Sequence, residues 1–221
     1  MAAILFGSIS VVVDTSELQR RAFNESFAAH GLDWLWSHDQ YVAMLDSNGG
    51  AQRIADYATA RGADVDAAEV HATKSAIFQE LLGTSPLEAR PGVIATIEEA
   101  KRSEHKLGFV TTTSRANVDA LLTALAPDIS AQTFDLIVSR DAVKDPKPDP
   151  AVYAFALDQL GENAAHAVAI EDNVGGVAAA TAAGVRCIAF PNENTVGGDF
   201  SAAAETVDAL EPGRVLGLAT A

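Results

Sequence analysis

Residues 2–15 read AAILFGSISVVVDT: an apolar run into Phe6, a break at Gly7-Ser8-Ile9-Ser10, and a second apolar run that closes on Val13-Asp14-Thr15. The first run shows no polar alternation, as a strand covered on both faces requires. Four later runs have the same character, at 107–111, 134–139, 167–171 and 185–190. Helical patterns separate them at 93–102, 117–125, 151–160 and 174–183, the last with Gly184 as its stop. Strands alternating with helices at this spacing need right-handed crossovers into a parallel sheet. The expected core is α/β: a doubly wound, Rossmann-like parallel sheet of five strands.

The stretch between the first strand and the rest reads differently. It holds helical segments at 17–30, 37–45, 51–61 and 66–82, punctuated by Gly31, the Asn48-Gly49-Gly50 turn and Gly62. No strand pattern interrupts them. Asp14 sits where an N-cap for the first of these helices belongs, and Pro86 with Pro91-Gly92 marks the return to the core. The expected division is therefore an α/β domain built from 1–14 and 86–221, with an all-helical cap domain at 15–85 inserted into it. Residues 212–221 are expected to fray.

The 221 residues suffice for this arrangement. A hydrophobic share of 48% with 20% charged residues is that of a soluble globular chain, and nothing in it is long and apolar enough for a membrane span. The net charge of -15 disfavours nucleic acid and anionic membranes, which are gripped by Lys and Arg. The single cysteine, Cys187, excludes an intramolecular disulfide and a multi-cysteine zinc site. With no basic segment at the N-terminus, a cytoplasmic location is expected. The five histidines show no metal-like spacing, and Trp34 and Trp36 are expected to pack the cap.

Several phrases occur in one order along the chain. Ala22-Phe23-Asn24 and His30-Gly31-Leu32-Asp33-Trp34 lie in the helical stretch. Thr111-Thr112-Thr113-Ser114-Arg115 follows the second strand, Lys147-Pro148 with Tyr153 the third, and EDNVGGVAAA (171–180) with Ala183-Gly184 the fourth. Together they span the whole chain. In this order they resemble the haloacid dehalogenase superfamily with a helical cap, within its β-phosphoglucomutase and phosphoglycolate phosphatase branch. The likeness extends to the sugar-bisphosphate phosphatases of the Calvin-cycle operon.

The resemblance implies a specific chemistry. An aspartate ending the first strand forms a phosphoaspartyl intermediate. A second aspartate two residues on acts as acid and base. Mg2+ sits against acidic residues at the fourth strand, and a hydroxyl and a lysine hold the phosphoryl oxygens. Matched to that pattern, the nucleophile falls on Gly7 and the acid/base on Ile9. Neither side chain can do the work. In the cap, Gln19 stands where this branch carries a histidine, and Gly49-Gly50-Ala51 where it carries Gly-Gly-Lys, so a lysine that reaches substrate is replaced by Ala51. What the resemblance leaves is a phosphate-binding remnant, Thr111 or Thr112 with Lys147, and a metal remnant, Glu171 and Asp172. In the absence of ligand, Lys147 is expected to pair with Glu171 or Asp172.

Losing an acid/base group costs about 10²–10⁴ in rate and losing a covalent nucleophile about 10⁶. The expected protein therefore keeps the phosphatase fold and loses phosphoryl transfer. Mg2+ binding is weak or absent, and a phosphorylated small metabolite is the expected ligand. Two alternatives stand beside this: a working Mg2+-dependent sugar-phosphate hydrolase with a non-standard residue, and a protein-interaction or scaffold role. Ser8 is the nearest hydroxyl, but strand alternation turns it away from the face of Gly7.

Overall fold

The structure is a computed structural model that describes residues 2–45 and 49–220. The chain divides into two compact units, Met1–Asp14 with Leu87–Ala221, and Thr15–Pro86. Asn48 of the expected glycine turn lies outside the described residues.

The first unit is a parallel sheet with flanking helices. Its strands are β1 (Ala3–Phe6), β2 (Lys106–Val110), β3 (Leu136–Val138), β4 (Ala167–Glu171), β5 (Arg186–Ala189) and β6 (Glu205–Thr206), in spatial order β3-β2-β1-β4-β5-β6. Every neighbouring pair is parallel. Six strands form where five were expected. The addition, β6, pairs only Ile188 with Glu205 and Ala189 with Thr206, and two residues leave no periodic signature. β1 is central, and its residues Ala3, Ile4, Leu5 and Phe6 are all fully buried. The strand order reverses between β1 and β4, and ligands of such sheets lie beyond the carboxyl ends of the strands at that point.

Two further differences concern the ends of the unit. The break after Phe6 is not a plain loop: Ile9–Val12 form a short helix, α1, with Ser8 as its N-cap. Residues 212–220, expected to fray, are helical instead. Pro212–Thr220 form a helix whose Val215 and Ala219 are buried, so packing supplies the order that local sequence does not.

The second unit holds helices α2 (Ser16–Ala29), α3 (His38–Val42), α4 (Gly50–Arg61) and α5 (Ala67–Thr84). The cap of α2 is Thr15, whose side chain makes no capping hydrogen bond, and Asp14 accepts from the Glu193 amide at 3.3 Å. The core is aromatic, as expected of Trp34 and Trp36. Trp36 is fully buried, with ring centroids 4.6 Å from Phe27 and 4.9 Å from Phe23. Asn24 clamps it from both sides, donating to the Trp36 carbonyl at 3.0 Å and accepting from its amide at 2.8 Å.

Candidate functional site

The register of the sheet decides what meets what at its carboxyl end. Phe6 lies beside Ile170, and the Gly7 amide donates to the Ile170 carbonyl at 2.9 Å. Continued by one and two residues, that register sets Gly7 against Glu171 and Ser8 against Asp172. Successive residues face opposite sides, so the two acids have separate partners.

Glu171 is completely buried and fills the space at Gly7. A Cβ on Gly7 would overlap the Glu171 carboxylate and stand 2.6 Å from the Tyr153 hydroxyl. A Cβ on Gly176, in helix α9 (Val174–Ala182), would also collide with that carboxylate. Glu171 is thus seated between two glycines, which only residues without side chains permit.

Its charge is met from within. Lys147 Nζ lies 2.6 Å from Glu171 Oε1, and the Tyr153 hydroxyl donates to the same oxygen at 2.6 Å. The ammonium also donates to the carbonyls of Gly7 and Val110, each at 2.7 Å. Lys147 therefore pairs with Glu171, one of its two expected partners. Burial pushes the Glu171 carboxyl up, and Lys147 pulls it back. Burial and the Glu171 charge together raise the Tyr153 phenol well above its ordinary value. Tyr153 comes from helix α8 (Ala151–Leu160) and belongs to the site, although the sequence marked it only as part of a motif.

Asp172 is held differently. Its Oδ1 accepts from Ser8 Oγ at 2.8 Å and from Asn173 Nδ2 at 2.9 Å, and its Oδ2 from Asn192 Nδ2 at 2.8 Å. Ser8 therefore reaches the site after all, because Asp172 occupies the side opposite Glu171. Its oxygen also accepts from the Val11 amide at 3.1 Å. Arg90 completes this half. Its guanidinium stacks 3.4 Å over the Phe190 ring and donates to the carbonyls of Ser10, Phe190 and Pro191. Asn192 and Arg90 were invisible to sequence reasoning, which had no motif for them.

Thr111 is buried at the end of β2, and its hydroxyl accepts from the Thr113 amide at 3.2 Å. Thr112, next to it, is half-buried. Ile9 is buried in α1.

These residues do not fit Mg2+. That ion requires near-octahedral oxygen ligands, with carboxylates among them. Here Gly7 supplies no carboxylate, both Asp172 oxygens accept from neutral donors, and an ammonium already holds Glu171. Of the four carboxylate oxygens of Glu171 and Asp172, only Glu171 Oε2 has no hydrogen-bond partner. Among the described residues, no three His, Cys, Asp or Glu side chains converge.

The helical unit holds a second polar cluster. Lys74 of α5 is buried and donates to Gln19 of α2, with its ammonium 4.8 Å from the centroids of both Phe23 and Phe78. Arg53 of α4 is also buried, its guanidinium 6.0 Å from the Phe23 centroid. Among the described residues Lys74 has no carboxylate partner, and burial, with Arg53, lowers its pKa to about 7. His71 is lowered to about 4 by burial and by Lys74 and Arg53. Gly49 and Gly50 begin α4, and a Cβ on Gly50 would collide with His71. Ala51 follows in the first turn. The glycines and Gln19 were expected on the substrate side of the cap. The two buried cations were missed, since Lys and Arg on amphipathic helices read as solvent-facing.

The haloacid dehalogenase-like hydrolase model matches residues 10–190. The chain belongs to that family. Within it, the CbbY protein of Rhodobacter capsulatus is 40% identical over 206 residues, 92% of this chain and 91% of the relative. The crystal structure of CbbY from Rhodobacter sphaeroides in complex with phosphate superposes with a TM-score of 0.88 at 38% identity, covering 95% of each chain. A mutant of that CbbY has been solved with xylulose-(1,5)bisphosphate, at the same TM-score, identity and coverage. The β-phosphoglucomutase of Clostridium difficile shares the fold at a TM-score of 0.79 and 18% identity, over 99% of this chain and 97% of that one. The haloacid dehalogenase-like family generally uses Mg2+, whereas the acidic pair of this chain is spent on internal partners.

Proposed function

We propose that this chain binds a phosphorylated sugar without transferring its phosphoryl group. The observation that carries the reading is the end of β1. Gly7 offers no nucleophile, and the volume a carboxylate there would need is filled by Glu171 and the Tyr153 hydroxyl. Ile9, matched to the acid/base position, is a buried hydrocarbon. Lys147 is turned inward onto four oxygens, which in this reading leaves the hydroxyl of Thr111 or Thr112 as one side of a phosphate cradle whose cation is engaged elsewhere.

Ligand binding rests, in this reading, on the helical unit. A buried ammonium with no carboxylate partner among the described residues carries an electrostatic cost, which an incoming phosphate relieves. Lys74 lies in the field of Arg53. The phosphate and xylulose-(1,5)bisphosphate held by the related CbbY support a sugar bisphosphate as ligand class.

The test pairs two measurements on one preparation. Phosphate release from xylulose 1,5-bisphosphate with Mg2+ is expected at background level, while calorimetry shows saturable binding that weakens in Lys74→Met. Release at rates ordinary for enzymes overturns the reading. If Ser8→Ala abolishes that release, the nucleophile is Ser8. Absence of both release and binding favours the scaffold role.

A further inference from the structure

We infer that the acidic pair at the carboxyl end of the sheet is a metal-free site that carries its own cations, so that the protein folds and binds ligand without a divalent ion. This goes beyond the loss of phosphoryl transfer, which would hold whether or not a metal bound.

Two carboxylates end β4, Glu171 and Asp172. Two cations face them: Lys147 in direct contact with Glu171, and Arg90, whose guanidinium is held by three carbonyls within the field of Asp172. Lys147 neutralises Glu171 directly, and Arg90 lies in the fields of both Asp172 and Asp14. The oxygens are committed as well. Glu171 Oε1 accepts from Lys147 and Tyr153. The Gly7 and Val110 carbonyls accept from the same ammonium. Asp172 accepts from Ser8, Asn173 and Asn192, and its own carbonyl from Thr195 Oγ1 at 2.6 Å.

A divalent ion entering here must displace an ammonium from a 2.6 Å contact and strip Asp172 of its donors. Gly7 returns no charged ligand. Of the four carboxylate oxygens of Glu171 and Asp172, the one left uncommitted, Glu171 Oε2, lies against Gly176, and a single carboxylate oxygen is far from the several that Mg2+ requires. The donors around Asp172 come from three loops, those after β1, β4 and β5. This carboxylate is therefore a junction that joins the ends of three strands, a role that needs permanent partners.

The experiment uses the full chain stripped with EDTA. Titration with MgCl2 is followed by calorimetry, Mn2+ binding by loss of its free electron paramagnetic resonance signal, and folding by the melting temperature. The expected result is no saturable heat and the same melting temperature in EDTA and in millimolar Mg2+. Mn2+ uptake that persists unchanged in Asp172→Asn, or in Glu171→Gln should that variant be the better folded, belongs to the acidic surface and upholds the inference. One-site saturable binding with a raised melting temperature, both lost in those variants, overturns it. The two readings fail separately. Site-bound Mg2+ without phosphate release sinks only this one, and release indifferent to EDTA sinks only the proposed function.

Discussion

Lys147 Nζ lies 2.6 Å from Glu171 Oε1, with the lysine 8% and the glutamate 0% exposed at the side chain. This ion pair is the centre of the α/β unit. It joins the segment before α8 to the end of β4 and, through the Gly7 and Val110 carbonyls, to the ends of β1 and β2. Two buried ions gain little net stability from each other, because each has lost its hydration. Removing one of them is another matter.

Lys147→Met leaves Glu171 buried and uncompensated, and is expected to lower stability by about 3–5 kcal/mol in chemical denaturation. Adding Glu171→Gln removes the orphaned charge and should restore a large part of the loss. A double variant no more stable than Lys147→Met would mean that packing, not charge, is what Lys147 supplies.

Gly7→Ala places a methyl group against Glu171 and the Tyr153 hydroxyl. Overpacking of this kind costs about 1–3 kcal/mol, visible as a lower melting temperature. Gly7→Asp with Ile9→Asp adds two carboxylates to buried positions and should destabilise further. Such a protein melting at or above the native temperature would refute the filled-pocket description.

Lys74 gives a pH signature. Its pKa is lowered from the ordinary 10.5 to about 7 in the folded chain. Between those values the unfolded chain holds more protons than the folded one, so the Lys74 contribution makes stability rise with pH from about 7 to about 10.5, and leaves it flat below. Lys74→Met should be more stable than the native chain at neutral pH and lose that slope, as urea denaturation across this range will report.

The same group sets the pH dependence of binding. A phosphate is held by the ammonium, not the amine, so affinity for xylulose 1,5-bisphosphate should fall as pH rises through about 7. At pH 6, Lys74→Met should cost roughly tenfold to a hundredfold in affinity, as for a lost charged hydrogen bond. His71, lowered to about 4, stays neutral throughout and adds no step.

Asn192→Ala removes one donor to Asp172 and is expected to cost about 1.5–3 kcal/mol, the range for hydrogen bonds to charged groups. Because the bond joins the loops after β4 and β5, hydrogen exchange should quicken in both. Faster exchange confined to residues beside 192 would argue against the junction.

Much of the architecture was legible because its signals are local. Unalternating apolar runs named β1 to β5, and Gly184, with φ +76, ended α9 as expected. The order of short phrases marked Lys147 and Glu171 as partners, and they meet in the fold. The misses have one physical character. β6 exists only because β5 offers an open edge, and the helix at Pro212–Thr220 only because Val215 and Ala219 find a surface. Asp14 had the right residue type for a cap but a different partner, the Glu193 amide.

Identity of side chains alone established that position 7 carries no carboxylate and position 9 no proton to exchange, since no folding can add an atom to glycine or isoleucine. Tertiary structure decided where the remaining charges go. Parallel register set Glu171 at Gly7 and Asp172 at Ser8, Tyr153 and Lys147 closed over the glutamate, and Lys74 was buried against Phe23. Those outcomes depend on contacts between residues far apart in the chain, and on desolvation, which a linear sequence does not display.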